Sequence, residues 1–113
     1  MKKRIAVCRD KHIVGYLESK IPDDLVSDRN IEIAYIYVEP KYRRQGVATE
    51  LINMFFSQHP EVTWITLWTS RECEIDGSFD LYKKLGFVEG TYLPDYYEPG
   101  VGTRHFALRR RED

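Results

Sequence analysis

The chain has 113 residues, 42% of them hydrophobic and 13% aromatic, which is enough to build the core of one domain over residues 1–113. Seventeen basic residues against eighteen acidic residues give a net charge of −1, whereas nucleic-acid-binding domains are usually basic. No apolar run approaches the ~20 residues of a membrane span, and no apolar stretch near Met1 is like that of a signal peptide. Two cysteines, Cys8 and Cys73, are too few for a disulfide framework, so we expect reduced thiols in a cytoplasmic protein.

The first half of the chain is predicted to contain three strands. In order, it shows strands at residues 4–9 and 12–19, a polar loop at residues 21–30 and a third strand at residues 31–38. Asp10-Lys11 separates the first two runs, which is typical of a hairpin. Pro40 ends the third strand, because proline cannot donate to a strand ladder.

The second half alternates helices with strands. From Gly46 to His59-Pro60 the apolar residues recur at helical spacing, which predicts an amphipathic helix. Beyond it we expect a strand at residues 62–68, a polar loop at 69–77, a short helix at 78–85 and strands at 88–93 and 103–109. The order β-β-β-α-β-α-β-β predicts an α+β fold, with a mixed, mostly antiparallel central sheet and helices on both faces.

The connection between the third strand and the first helix has the features of an anion site. The first N–H groups of a helix have no partner within it, and with the positive end of the helix dipole they attract phosphate. Gly46 has no side chain to hold a ligand off the backbone, and Arg43 and Arg44 add positive charge. A pyrophosphate suits these features, although the sequence contains neither a G-x-x-x-x-G-K-[ST] loop nor a G-x-G-x-x-G loop.

Three segments carry a resemblance to a known family. They are Ile36-Tyr37-Val38-Glu39-Pro40, then Tyr42-Arg43-Arg44-Gln45-Gly46-Val47-Ala48, which fits [QR]-x-x-G-x-[GA], and Leu81-Tyr82-Lys83-Lys84-Leu85-Gly86-Phe87. From Arg4 to Arg109 the chain resembles the GNAT superfamily of acetyl-CoA-dependent N-acetyltransferases. The resemblance implies the acyl-CoA N-acyltransferase fold, transfer of an acetyl group to a primary amine, and acetyl-CoA (coenzyme A) as the cofactor.

The resemblance also assigns contacts to this cofactor. Backbone groups of Ile36, Tyr37 and Val38 would hold the pantetheine arm and the thioester. The pyrophosphate would lie on the loop and first helical turn formed by Arg43, Arg44, Gln45, Gly46, Val47, Ala48 and Thr49.

Two residues are candidates for catalysis. Tyr82 lies where the family has its usual general acid, which would protonate the departing thiolate. Glu32 lies where some protein-acetylating members carry a catalytic glutamate, and it is either the general base or a bland exposed residue. Strand alternation predicts that Glu32 shares a face with Ala34, Ile36 and Val38.

Two departures from the family bear on the acceptor. The loop at residues 69–77 lacks the Asn that many relatives place there, and the chain begins almost at the family's second strand, without the usual N-terminal strand and helices. We therefore expect an open acceptor groove, or one completed by a second copy in a homodimer. Tyr96-Tyr97 resembles a segment that covers the acceptor in ribosomal-protein N-terminal acetyltransferases, but we favour aromatic packing on a hairpin loop as its explanation.

Several functional alternatives stay open at this point. Peptide or protein amines and small-molecule amines all fit as acceptors. The alternative to an enzyme is a non-catalytic acyl-CoA-binding regulatory module. A toxin-like acetylator of aminoacyl-tRNA would need a basic groove, which the charge of −1 disfavours. His12, His59 and His105 show no ligand spacing, so we expect no metal, and we expect neither nucleic acid nor a membrane as a partner.

Overall fold

The computed structural model describes residues 2–20, 29–77 and 79–111. Its contacts divide the chain into two units, Met1–Thr63 and Trp64–Asp113. The first unit contains β1 (Lys2–Arg9), β2 (His12–Lys20), β3 (Asn30–Val38), a 3₁₀ turn (Pro40–Tyr42) and α1 (Val47–Gln58). The second unit contains β4 (Trp64–Trp68), α2 (Arg71–Asp76), α3 (Asp80–Lys84), β5 (Val88–Glu98) and β6 (Val101–Arg109). Most of the predicted loop at residues 21–30 lies outside the described residues.

The first unit is an antiparallel three-stranded sheet with α1 packed on it. β2 pairs with both β1 and β3, and α1 contacts all three strands. Asp10 and Lys11 both have positive φ, 50° and 68°, which matches the twist of a two-residue hairpin turn. Leu51 and Phe55 of α1 are 0% and 2% exposed, so the apolar stripe read from the sequence forms the core of this unit.

A β-bulge in β3 changes which side chains are buried. Glu18 of β2 lies opposite Tyr35, but the next residue of β2 lies opposite Ile33, so Ala34 is an extra residue. The buried residues of the strand are consequently Ile31, Ile33, Ile36 and Val38. The prediction that Glu32 shares a face with Ala34, Ile36 and Val38 is wrong for Ile36 and Val38, because strict alternation does not survive the inserted residue.

The second unit orders its strands β4-β6-β5, and both pairs are antiparallel. The predicted polar loop at residues 69–77 is wrong, since most of it forms α2. The hydroxyl of Ser70 caps this helix by accepting a hydrogen bond from the Cys73 N–H at 3.1 Å, and Gly77 ends it with φ of 72°.

The last hairpin is longer than the sequence predicted. β5 runs through Pro94 to Glu98, so Tyr96-Tyr97 lies in a strand and the predicted hairpin loop is wrong. The pairing with β6 is irregular between Leu93 and Glu98, which accommodates the proline, and Asp95 in this stretch has a positive φ of 58°. The carboxylate of Asp95 accepts a hydrogen bond from the Gly100 N–H at 2.7 Å, which closes the turn.

The predicted element order is confirmed with α2 added, and so is the predicted class, an α+β fold with mostly antiparallel strands. In the part of the chain that the structure describes, no helix is both long and apolar enough to cross a membrane. The single domain over residues 1–113 stays a prediction.

Candidate functional site

The loop before α1 presents the start of that helix without a side-chain cap. Arg44 and Gly46 both adopt left-handed backbone conformations, with φ of 64° and 78°. Gly46 is the N-cap residue of α1, and no side chain accepts a hydrogen bond there. A helix of twelve residues that begins in this way directs its first N–H groups and its positive dipole end at whatever approaches Gly46.

The space next to Gly46 is open. A Cβ atom added there would meet no atom within 4 Å, so glycine is favoured at this position by its φ rather than by packing. A shallow groove starts at Gly46 and follows α1 past Thr49 and Asn53. The side chains of Val47 and Ala48 are buried, so in this turn the backbone faces a ligand. These features fit a pyrophosphate group.

The charged residues around this loop differ in their contacts. The Nε–H of Arg43 donates to the carbonyl of Val38 at 3.1 Å, which ties the loop to the end of β3. Arg44 is exposed and available as a cation. The acidic residue in the first turn, Glu50, is paired with Arg9 of β1 at 2.6 Å, which offsets a negative charge that would repel an anion.

Two contacts hold the loop on the β1–β2 hairpin. The ring of Tyr42 is buried, 8% exposed, and its hydroxyl lies 3.3 Å from Nε2 of His12. The N–H of Glu39 donates to the carbonyl of Val14 at 2.8 Å. The loop is therefore anchored on both sides of Pro40 before it reaches the helix.

Gly15 lets α1 approach β2, and sequence reasoning missed it. A Cβ atom at Gly15 would lie 2.8 Å from Cγ1 of Val47, closer than real Cβ contacts come, and 3.0 Å from the carbonyl oxygen of Tyr37, which is tighter than most of them. The first turn of α1 and the end of β3 both depend on this absence of a side chain. The available signal was a glycine inside a strand pattern, which often marks close approach of another segment.

The three β3 residues predicted to hold the pantetheine arm lie opposite β2. Ile36, Tyr37 and Val38 are opposite Leu17, Tyr16 and Gly15, respectively. Ile36 and Val38 are each 7% exposed, so their side chains belong to the core and only their backbone can serve a ligand. Tyr37 instead stacks on Tyr35, with ring centroids 6.4 Å apart.

Glu32 lies near the start of β3, and it is not one of the buried residues of that strand. Its carboxylate is 2.7 Å from Nζ of Lys20, the residue directly opposite on β2. The two side chains are 37% and 55% exposed, respectively. Glu32 is thus an ion-paired carboxylate that solvent reaches, and an amine already lies within proton-transfer distance of it.

Tyr82 lies on α3 in the second unit. This helix has five residues and no side-chain cap, so tertiary packing must hold it. The Tyr82 ring packs on Phe87 and on the fully buried Phe106, with centroids 5.7 and 5.6 Å apart. Gly86, with φ of 97°, turns the chain so that Phe87 returns to the helix.

A polar network that the sequence did not reveal connects α2 to β6. Thr69 donates to the carboxylate of Glu74 at 2.8 Å, and Arg104 binds both oxygens of the same carboxylate. The guanidinium of Arg104 also lies 4.1 Å from the ring centroid of Phe79, the N-cap residue of α3. Because these partners are distant in sequence, no local sequence pattern predicts the contacts between them.

The two adjacent tyrosines of β5 differ in their surroundings. The Tyr97 hydroxyl donates to the carbonyl of Thr69 at 2.6 Å, which fixes Tyr97 to the segment before α2. Tyr96 is 60% exposed. The two rings contact each other, with centroids 5.0 Å apart, so the hydrogen bond fixes Tyr97 while most of Tyr96 stays open to solvent.

The family model for the acetyltransferase (GNAT) family matches residues 2–87, a range that includes both the Gly46 loop and Tyr82. This chain belongs to the GNAT family. The resemblance inferred from the sequence is confirmed.

Individual relatives agree with this assignment. The ribosomal protein bS18 alanine N-acetyltransferase of Escherichia coli K12 is 32% identical over 73 residues, 65% of this chain and 49% of the relative. The chain thus spans about half the length, 49%, of the curated relatives it matches.

Solved structures show the same fold. The structure of the Escherichia coli ribosomal-protein-S18-alanine N-acetyltransferase matches with a TM-score of 0.72 at 20% identity, covering 99% of this chain and 71% of that one. An aminoglycoside 6′-N-acetyltransferase complexed with coenzyme A matches with a TM-score of 0.75 at 18% identity, covering 99% of this chain and 76% of that one. The GNAT acyltransferase fold of this chain is confirmed.

Proposed function

We propose that this protein is an N-acetyltransferase that moves an acetyl group directly from acetyl-CoA to a primary amine. Membership of the GNAT family supports the reaction class. The observation that carries the proposal is the uncapped start of α1 at Gly46, where a left-handed glycine, open space and exposed Arg44 together suit a pyrophosphate. The complex of an aminoglycoside acetyltransferase of similar fold with coenzyme A supports the choice of cofactor.

The cofactor contacts follow from the parts of this site. The N–H groups from Arg44 to Thr49 bind the pyrophosphate, with Gln45, Gly46, Val47 and Ala48 between them. Arg43 acts by holding the loop against Val38 rather than as a free cation. Backbone groups of Ile36, Tyr37 and Val38 bind the pantetheine arm.

In this proposal two side chains move protons. An acetyl thioester supplies an activated carbonyl carbon that a neutral amine can attack. Glu32 takes a proton from the incoming amine, and its exposure leaves it accessible to one. Tyr82 gives a proton to the departing thiolate, because a phenol hydroxyl is a weak acid that can protonate a thiolate forming beside it.

The acceptor is an amine of a peptide, a protein or a small molecule. One relative bears the name of a ribosomal-protein alanine acetyltransferase, and a protein of similar fold bears that of an aminoglycoside acetyltransferase. The exposed ring of Tyr96 is a suitable contact for such a molecule. The free thiols Cys8 and Cys73 suit the cytoplasm. We also propose that the protein forms a homodimer, which a molar mass measured by light scattering would test.

Calorimetric titration with acetyl-CoA, and separately with coenzyme A, tests the cofactor site. Wild type should bind both, and Gly46→Glu should bind neither, because a carboxylate would lie where the pyrophosphate is proposed to bind. Gly100→Glu is a matched control, since Gly100 also has a positive φ of 84° and open space around it. Equal binding by wild type and Gly46→Glu, or no binding by wild type, would contradict the proposed site.

A further inference from the structure

The ion pair between Lys20 and Glu32 places an amine of this chain on the proposed general base. The Lys20 Nζ atom lies 2.7 Å from a Glu32 carboxylate oxygen, and the two residues are directly opposite in the β2–β3 pairing. Among the side chains that the structure describes, Lys20 is the one lysine whose ammonium group pairs with a carboxylate. This contact reproduces the encounter that an external acceptor amine must make.

We propose that Lys20 is a self-acetylation site, modified in cis by the active site of its own chain. The inference rests on the proposed function, because it requires acetyl-CoA as donor and Glu32 as base. The Lys20 side chain is 55% exposed, so an acetyl donor can reach it. Exposed ion pairs are weak, so Glu32 holds the Lys20 side chain only loosely, and the neutral amine that forms after proton transfer can leave the carboxyl group.

The step balances in atoms and charge. The Lys20 ammonium group gives one proton to the Glu32 carboxylate and becomes a neutral amine. The amine nitrogen attacks the thioester carbonyl carbon, an N–C bond forms, and the C–S bond breaks. Coenzyme A leaves as a thiolate that takes up one proton, and the nitrogen loses its second proton to solvent. The product is an uncharged amide at Lys20.

Acetylation changes what surrounds Glu32. The amide carries no positive charge, so the ion pair with Glu32 is lost and the carboxylate is freed for external amines. Unmodified Lys20 therefore acts as an internal competitor for the base. The enzyme should transfer acetyl groups to external amines faster once Lys20 has been acetylated.

The modification is measured by incubating purified protein with acetyl-CoA and mapping acetylated peptides by mass spectrometry. We expect Lys20 to gain an acetyl group at a rate independent of protein concentration, and faster than Lys11, an exposed lysine in the β1–β2 turn. Gly46→Glu protein is the control for spontaneous acetylation. Lys20 modification at equal rates in wild type and Gly46→Glu, or at the rate of Lys11, overturns the inference.

Kinetics with an external amine provide a second readout. Lys20→Gln, which resembles the acetylated state, should raise kcat/KM several-fold over Lys20→Arg, which keeps the positive charge. Equal kcat/KM values for the two variants would show that Lys20 does not compete with external amines for Glu32. If wild type acetylates external amines while Lys20 stays unmodified, the inference fails and the proposed function stands. If wild type neither binds acetyl-CoA nor acetylates any amine, both fail.

Discussion

The guanidinium of Arg104 donates hydrogen bonds to both carboxylate oxygens of Glu74, at 2.7 and 3.0 Å, and the Glu74 side chain is only 5% exposed. The hydrogen bonds to Glu74 raise the pKa of Arg104 above its ordinary value, with Glu89 adding to the effect against the opposing effect of burial. This pair fixes α2 to β6 in the second unit. The Glu74 carboxylate is shielded from water, so its charge depends on Arg104.

Arg104→Met should destabilise the protein by about 3 kcal/mol, because Glu74 would keep a buried charge without its cation. Denaturant unfolding monitored by circular dichroism measures this change. Arg4→Met is the control, since Arg4 forms an ion pair with Glu18 in which the arginine side chain is 58% exposed, and its loss should cost less than about 1 kcal/mol. Equal effects of the two substitutions would show that the Arg104 pair is no stronger than a surface pair.

The two adjacent tyrosines should respond differently to removal of their hydroxyl groups. Tyr97→Phe loses the hydrogen bond to the Thr69 carbonyl and should cost about 1 kcal/mol of unfolding free energy. Tyr96→Phe should change stability by less than about 0.5 kcal/mol, because its ring is mostly exposed. A larger loss in Tyr96→Phe than in Tyr97→Phe would contradict the assigned positions.

Gly15→Ala should force α1 away from β2. The new methyl group overlaps Val47, so we expect a cost of about 1–3 kcal/mol and weaker acetyl-CoA binding, since the displaced turn carries the proposed pyrophosphate site. A second substitution, Val47→Ala, should restore part of the lost stability and part of the lost acetyl-CoA affinity. Gly90→Ala is the control, because a Cβ atom there has ordinary contacts at 3.5 Å. If Gly15→Ala is destabilised but binds acetyl-CoA with unchanged affinity, the contact between Gly15 and Val47 does not support the proposed pyrophosphate site.

His59, which follows α1, should make stability depend on pH. Burial lowers its pKa from the ordinary 6.5, with a contribution from the positive charge of Lys3 and a smaller opposing one from Glu61. The unfolded chain therefore binds a proton at a pH where the folded chain does not, and this contribution to stability is lost as pH falls below 6.5. Thermal unfolding between pH 7.5 and about 5 should show a steeper loss in wild type than in His59→Gln. Parallel pH profiles would contradict this role.

Local sequence signals predicted the loop at Gly46 correctly. Elsewhere the predictions failed where the structure depends on contacts between residues that are distant in sequence. The helix start follows from a proline, a glycine and an apolar period that lie together in the chain. The face of Glu32 was mispredicted because the bulge at Ala34 depends on the register with β2. Helix α2 was missed because six polar-rich residues become helical through the Ser70 cap and the bonds between Glu74 and Arg104, thirty residues apart. The roles of Tyr82, Glu32 and the cofactor residues stay predictions.

Amine-dependent release of free coenzyme A from acetyl-CoA tests the proposed acetyl transfer most directly, with wild type and Tyr82→Phe assayed on a panel of peptide, polyamine and aminoglycoside amines. We predict that wild type releases coenzyme A with at least one amine class. Tyr82→Phe should lower kcat by about 10²–10⁴-fold while it still binds acetyl-CoA, because a general acid acts in the transition state. Full turnover by Tyr82→Phe would show that another group protonates the thiolate. Tight acetyl-CoA binding by wild type without release on any amine would contradict the enzyme and favour a non-catalytic acyl-CoA-binding module.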